Sequence, residues 1–478
     1  MKRYINFLTF FLSIGIVFLK LNLKLSLFFA LSFSFINFTL WIIRTKKEKL
    51  DNWFNPVFLF FISYFIVYFQ VPILILSGYK YYYKNFNSYD IELIAYCVTV
   101  SMVGICSFFL GEEIISTIFN KRSLSLKRTV FIVNSTNINI FKLFIGFLLL
   151  VSFSLFLNEM GGPRAFFGYN YGSWDALFVG KQNYFELIAF ILFYILVIGE
   201  IDRLIIKYEP PIKKIINKVD LKLITLSLVF AMPYVFSGDR GSALEIFIIL
   251  SGIYFILSKK LKLVSAVAII VISSIILTSI GYIRSASKDN IIEEYKYRVQ
   301  LVKENPFWPT IELANSYWTF YVAVNMFPES FNYTKGKKLL LNVLQIIPFG
   351  SKIFDTRNYL EKNNYIYNSS LFFTNIINRG NFTSGAGSST LGDLYMEFGI
   401  VSIIITLFIW GGVVSWINAK ALIQRHHIFI FLYSYLCYFA IYVNRSHFFY
   451  GWNKIIYAII LYSLIRPYLF KTFRKYKI

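Results

Sequence analysis

Residues 221–258 decide the fold class: LKLITLSLVFAMPYVFS (221–237), the tetrad Gly238-Asp239-Arg240-Gly241, and SALEIFIILSGIYFILS (242–258). Each apolar run is close to the length of about 20 residues that a helix needs to cross a bilayer. The tetrad is long enough only for a turn. An Arg in such a turn is costly unless it faces water, a carboxylate or an anionic ligand. The stretch therefore predicts two membrane helices with Arg240 at a functional position between them.

The composition of the whole chain also indicates a membrane protein. Of its 478 residues, 57% are hydrophobic, 20% are aromatic and only 15% are charged, whereas soluble domains carry about 25% charged residues. The net charge of +23 is typical of basic loops on the cytoplasmic side and of attraction to anionic lipid. We therefore expect no nucleic acid as a partner. The three cysteines, Cys97, Cys106 and Cys437, lie in apolar runs, so no disulfide framework is expected.

Apolar runs of about 20 residues recur along the chain and predict an all-α, polytopic integral membrane protein with about twelve helices. The first run lacks a small-x-small cleavage site, so we expect an uncleaved helix rather than a signal peptide. We expect one membrane domain over 1–478. The predicted spans are 4–19, 25–43, 54–76, 91–111, 138–157, 184–201, 221–237, 242–258, 263–283, 391–417, 428–443 and 451–466.

Lysines and arginines accumulate in alternate loops, which predicts a multi-pass topology with both termini in the cytoplasm. The opposite, outer side then holds the Gly238–Gly241 turn and one long loop, 284–390. Loops of this length are usually functional or disordered. Because this loop carries Trp308, Trp318 and the amphipathic stretch 337–349, we expect it to be ordered, to pack or lie along the membrane, and to contribute to function.

Four arginines lie on the predicted outer face, against the positive-inside rule: Arg240, Arg284, Arg379 and Arg445. Several guanidinium groups at one depth suit a multiply anionic ligand, because each binds phosphate oxygens bidentately and stays charged. Any one of them could instead reach the lipid headgroups or form a structural ion pair. Asp239 is either the ion-pair partner of Arg240 or part of the same ligand site.

Three residues on the outer face are candidate general bases. Asp393 and Glu397 are four residues apart, so they share one face at the start of the predicted span 391–417. They could instead complement the helix dipole. His447, close to Arg445, is the third candidate, with a structural role as the alternative. No group of His, Cys and Glu has the spacing of metal ligands, and no nucleotide-binding motif occurs, so neither a metal nor a cofactor is expected.

Two further expectations concern charged residues outside this group. Glu245 lies one turn into its helix and is expected to pair with Arg240 or Arg284. His426 and His427 are expected to be solvated in a cytoplasmic loop.

The order of these features resembles the Wzy-type oligosaccharide repeat-unit polymerases, which make O-antigens, enterobacterial common antigen and capsular polysaccharides in bacteria. The resemblance covers roughly residues 138–466 and looks closest to the common-antigen branch. It rests on the small-x-Arg-small turn at Arg240, on Arg284 at the end of the next outward span, and on Arg445 near the last span. A Gly/Ser-rich stretch followed by LGDLYMEFG (391–399) completes it.

The resemblance implies a GT-C-like fold in the bacterial cytoplasmic membrane and a glycosyl transfer at its outer face. The growing glycan would pass from undecaprenyl diphosphate to a sugar hydroxyl of the incoming unit. The expected partners are the lipid-linked oligosaccharide, membrane lipid and a chain-length regulator.

The resemblance also implies roles for particular residues. Arg240 and Arg284 would hold the donor diphosphate, with Arg445 beside them or at the acceptor. Glu397 would act as the base, with Asp393 or His447 in reserve. In the outer loop, Trp308, Trp318 and tyrosines would stack on sugar faces.

Two alternative functions remain open at this stage, a lipid-linked oligosaccharide flippase and an O-antigen ligase. A flippase has little use for a long outer loop. The ligases, which share a similar plan, usually carry a His nine residues before the Glu of this helix, and here that position is Ser388. Some polymerases carry a Gly eleven residues after the Arg, and here that position is Ser251.

Overall fold

A computed structural model describes most of the chain. It covers residues 2–47, 52–78, 89–121, 130–133, 135–163, 182–208, 210–237, 240–269, 273, 308–344, 346–347, 360, 362–363, 365–380 and 385–473. Gly238, Asp239 and Arg284 lie outside these ranges, as does the side chain of Arg240. The roles predicted for these residues therefore stay predictions.

The described chain is helical apart from one short ribbon. In chain order the helices are α1 (Lys2–Val17), α2 (Leu23–Lys47), α3 (Pro56–Leu76), α4 (Ile91–Lys121), α5 (Ser135–Glu159), α6 (Gln182–Lys207), α7 (Leu221–Ser237), α8 (Arg240–Leu257), α9 (Trp308–Ala314), α10 (Tyr317–Met326), α11 (Lys337–Leu344), α12 (Ser369–Ile377), α13 (Thr390–Phe398), α14 (Ile400–Ala419), α15 (His427–Tyr442) and α16 (Trp452–Leu469).

Seven of the described helices are long and apolar enough to cross a membrane. They are Leu23–Lys47, Pro56–Leu76, Ile91–Ile118, Asn137–Glu159, Tyr184–Lys207, Ile400–Gln424 and His427–Arg445. Shorter apolar helices cover Tyr4–Val17, Leu221–Val235 and Gly241–Leu257. An all-helical polytopic membrane protein is therefore confirmed, whereas the number of twelve spans and the GT-C-like fold stay predictions.

The ribbon was not predicted from the sequence. Strand β1 (Val130–Val133) pairs antiparallel with β2 (Phe470–Phe473), and Val130 stands opposite Phe473. The pairing brings the segment after α4 next to the segment after α16.

Two glycines allow the backbones of α4 and α14 to touch where the helices cross. A Cβ atom at Gly111 would lie 1.9 Å from the Phe408 carbonyl oxygen, and one at Gly411 would lie 2.0 Å from the Phe108 carbonyl oxygen. Small residues at such crossings allow the close packing that holds membrane helices together, because the surrounding lipid supplies no hydrophobic driving force between them. This crossing joins α4 to the helix that continues from the candidate site.

We predict that Gly411→Ala destabilises the protein by about 3 kcal/mol, at the upper end of the range for overpacking, because the new methyl group meets backbone and the helices must separate. The measurement is the midpoint of thermal unfolding in detergent. Gly15→Ala is the matched control, since nothing lies within 4 Å of a Cβ atom there. Equal midpoints for the two variants would contradict the proposed contact.

The predicted span 391–417 is two helices rather than one, so the expectation of a continuous helix is wrong. Gly399, with a φ of +62°, ends α13 and precedes α14. A Cβ atom there would lie 2.8 Å from the Tyr333 hydroxyl oxygen, so the break also allows a close contact. The Ser402 hydroxyl donates to the Leu394 and Gly399 carbonyl oxygens at 2.5 and 2.7 Å. These bonds satisfy backbone groups that the break releases.

Part of the predicted outer loop is packed inside the protein. In α10, the side chains of Trp318, Phe320 and Tyr321 are buried. The Thr310 hydroxyl donates to the Gln70 side-chain oxygen at 2.7 Å and ties α9 to α3. The expectation that Trp318 stacks on a sugar is wrong, because its side chain is fully buried. The side chain of Trp308 lies outside the described residues.

Candidate functional site

The first turn of α13 is anchored deep among the membrane helices. The Ser389 hydroxyl caps it by accepting a hydrogen bond from the Gly392 amide at 3.2 Å. The Leu391 amide donates to the Tyr68 hydroxyl at 3.0 Å, and the Thr390 hydroxyl donates to the Val443 carbonyl oxygen. Tyr68 lies beyond the midpoint of α3, a candidate span of 21 residues. Thus α13 starts at the level of a candidate span, not beyond its end.

Asp393 forms a buried ion pair with Lys338. The lysine Nζ lies 2.8 Å from Asp393 Oδ1 and also donates to the Asp393 carbonyl oxygen. The positive charge of Lys338 at this distance favours the ionised form of the Asp393 carboxyl group. Asp393 is therefore a carboxylate at neutral pH.

Lys338 was missed as a site residue in the sequence, although a signal was present. It is one of two adjacent lysines at the start of an apolar stretch, and it is four residues from Asn342. Lys338 and Asn342 therefore share one helix face, and both side chains are buried. Two polar residues that line one face of an otherwise apolar segment indicate that this face meets polar groups of the protein.

Glu397 caps the start of α11. Its Oε2 accepts hydrogen bonds from the Thr334 hydroxyl at 2.6 Å and the Gly336 amide at 2.7 Å, and its Oε1 accepts from the Leu339 amide at 2.8 Å. A carboxylate at a helix N-terminus satisfies free amides and complements the helix dipole. Because both oxygens are held in these bonds, the geometry favours a positioning role for Glu397 over that of a base.

His447 lies beside Asp393, although the two are far apart in sequence. The Phe448 amide donates to Asp393 Oδ2 at 3.4 Å. This bond holds the segment that contains His447, between α15 and α16, against α13. Burial and the positive charge of Lys338 lower the pKa of His447, while Asp393 opposes them. The imidazole is therefore neutral at pH 7, and its Nδ1 is buried without a hydrogen-bond partner among the described residues. Such a group can accept a proton.

Two of the four predicted arginines have described side chains, and both are exposed. Arg445 ends the turn after α15, two residues before His447. Arg379 follows α12 with a φ of +51°. The segment 385–389 borders α12 and the turn of Arg445: the Ala386 amide donates to the Thr374 hydroxyl at 3.0 Å, and a Cβ atom at Gly387 would lie 3.9 Å from the Arg445 carbonyl oxygen. Arg240 begins α8.

Glu245 has a different described partner from the two that were expected. Lys454, in the first turn of α16, places its Nζ 3.5 Å from Glu245 Oε2 and 3.7 Å from the centre of the Phe190 ring. The Tyr194 hydroxyl also donates to Glu245. Lys454 was not among the residues predicted from the sequence.

The expectation of two solvated histidines holds for His426 but not for His427. His426 is exposed, whereas His427 is buried. Its Nδ1 lies 3.4 Å from Asp202 Oδ1. Asp202 also accepts hydrogen bonds from Arg466 Nε at 2.6 Å and from the Tyr462 hydroxyl at 2.9 Å. These residues hold α6, α15 and α16 together.

The described residues contain neither a disulfide nor a group of side chains suited to a metal ion. Cys97, Cys106 and Cys437 are buried and free, as expected. Within the described ranges, no group of three or more His, Cys, Asp or Glu side chains could hold a metal ion.

The chain matches no protein-family model, no curated protein and no solved structure in comparisons with known proteins.

We predict that Lys338→Met destabilises the protein by about 3–5 kcal/mol, because it leaves the Asp393 carboxylate buried without its partner. Unfolding in detergent measures the effect. Lys337→Met is the matched control, since the neighbouring lysine is exposed. The double variant Lys338→Met/Asp393→Asn should recover part of the loss. If Lys338→Met were as stable as Lys337→Met, the buried pair would not contribute as described.

Proposed function

We propose that this protein is a membrane glycosyltransferase that polymerises undecaprenyl-diphosphate-linked oligosaccharide repeat units. The observation that carries the proposal is a neutral His447 beside an ionised Asp393, two residues after the exposed Arg445. A base and a cation at one place suit the transfer of a sugar from a diphosphate to a hydroxyl group. The resemblance described above supplies the identity of the lipid carrier.

The proposed reaction follows from these groups. A hydroxyl oxygen of the incoming unit forms a bond to the anomeric carbon of the growing chain while the bond from that carbon to the diphosphate oxygen breaks. His447 accepts the hydroxyl proton, and the Asp393 carboxylate stabilises the resulting imidazolium. The diphosphate leaves as an anion and needs no proton, since a guanidinium group stabilises its developing charge.

The proposal divides the predicted site residues by role. His447 acts as the base. The negative charge of Asp393 favours its protonated form, Lys338 positions Asp393, and Glu397 positions α11. Arg445 and Arg379 bind the diphosphate or the acceptor, together with Arg240, Arg284 and Asp239 as predicted from the sequence. A substrate attached to a membrane lipid also suits a site that begins at the level of a candidate span, because the lipid carrier remains in the bilayer.

We predict that the purified protein in lipid nanodiscs converts a synthetic lipid-diphosphate repeat unit to a ladder of polymers. His447→Gln should lower the rate by about 10²–10⁴-fold, the usual contribution of a general base. His426→Gln is the matched control, because that histidine is exposed and lies at the far end of α15. Chain lengths on gels give the measurement.

Three outcomes would contradict the proposal or its details. If the wild-type protein forms no new glycosidic bond but moves the intact lipid across the bilayer, it is a flippase. If it transfers preformed polymer only to a different lipid acceptor, it is a ligase. If His447→Gln polymerises at the wild-type rate, His447 is not the base.

The rate should depend on pH through His447. Its pKa is lowered from the ordinary value of about 6.5, so the basic form persists below pH 6.5. Activity should stay constant from neutral pH to about pH 6.5 and fall only as the pH drops through the lowered pKa. The residual activity of His447→Gln should lack this fall at low pH. If the variant shows the same fall, a group other than His447 causes it.

A further inference from the structure

The amphipathic helix α11 is oriented with its polar face inward. Lys338 and Asn342 are buried, whereas Leu339, Leu340 and Val343 are exposed. Ile347, just beyond the helix, is also exposed. A helix on the surface of a water-soluble protein has the opposite arrangement, with its apolar side chains against the core and its polar side chains in water. Something apolar must therefore cover the outer face of α11.

The two ends of α11 are fixed to the helix bundle. At the start, the Lys335 amide donates to the Glu397 carbonyl oxygen at 3.2 Å, and the Glu397 side chain caps the helix. Beyond the other end, the Tyr457 hydroxyl donates to the Ile346 carbonyl oxygen. Tyr457 lies in the second turn of α16. Thus α11 bridges from the end of α13 to α16.

Both flanks of this bridge carry exposed apolar strips. On the α13–α14 side, the strip consists of Phe398, Val401, Ile405 and Ile409. On the α16 side, Ile460, Leu461 and Leu464 are exposed. Since α14 is a candidate membrane span, its exposed strip faces lipid. Because α11 is attached at its two ends to α13, which runs into α14, and to α16, its exposed apolar face lies between elements that carry these strips, which argues for lipid as its occupant.

The energetics agree with this occupant. Leaving four partly exposed aliphatic side chains in water would forgo the hydrophobic stabilisation that contact with lipid chains supplies. Two exposed lysines, Lys335 and Lys337, lie at the start of α11. Lysines beside an apolar helix face can reach anionic headgroups while the apolar residues enter the hydrocarbon.

We infer that α11 is embedded in one leaflet of the bilayer, with Leu339, Leu340, Val343 and Ile347 against lipid chains. Its polar face then contributes Lys338 to Asp393 and its free amides to Glu397. Membrane lipid is therefore a structural part of the candidate site. The inference rests on exposure and hydrogen bonding and does not depend on the proposed function.

The test is the environment of spin labels on the full-length protein in phosphatidylethanolamine–phosphatidylglycerol vesicles. Single cysteines are introduced by Leu340→Cys and Val343→Cys. Ile405→Cys on α14 is the lipid-facing control, and Lys335→Cys is the control near the headgroups. The unmodified protein gives the background, since its three cysteines are buried. Collision with oxygen, which dissolves in lipid, is compared with collision with a water-soluble nickel chelate.

We expect labels at 340 and 343 to collide preferentially with oxygen, as at 405, with a several-fold larger oxygen-to-nickel ratio than at 335. Preferential collision with nickel at 340 and 343 would place α11 in water and overturn the inference. Protection from both reagents would overturn it too, because protein would then cover the face. Spin–spin coupling between labels would identify that protein as a second copy of the chain.

Discussion

The ion pair between Lys338 and Asp393 is the interaction on which the candidate site depends. Both side chains are buried, so neither charge is acceptable there without the other. The pair joins α11 to α13 and keeps Asp393 ionised next to His447. Glu397 completes the connection from the next turn of α13 by capping α11. These residues hold one another in position. A change at Lys338 would therefore disturb His447, the Glu397 cap and the helix α11 together.

The membrane imposes the second constraint, because backbone groups at the level of the spans need partners inside the protein. The break at Gly399 meets this requirement through Ser402, and the start of α13 meets it through Ser389 and Tyr68. A discontinuous helix can then place an aspartate among membrane helices without exposing backbone to lipid. The close crossing of α4 and α14 at Gly111 and Gly411 gives this broken helix a rigid support.

The sequence predicted most individual helices and several members of the site, but it did not predict their partners. Asp393 and His447 were each chosen for residue type and position on the outer face, and the structure joins Asp393 to the turn of His447 through the Phe448 amide. Glu397 was the favoured base, yet its oxygens accept three hydrogen bonds at α11. Trp318 and His427 were placed at surfaces and are buried. In each case the decisive fact is a contact between residues distant in sequence, which composition and periodicity do not contain.

The sequence by itself determined that this chain is a polytopic helical membrane protein. The length and hydrophobicity of a segment are local properties, and they decide whether that segment can span the hydrocarbon core of a bilayer. It also located the polar residues that stand out against that background. Only the tertiary structure decided that the span 391–417 is broken, that Lys338 is the partner of Asp393, and that α11 turns its leucines outward. Those outcomes depend on which buried charges and backbone groups satisfy one another across the fold, and that pairing is set by packing in three dimensions rather than by spacing along the chain.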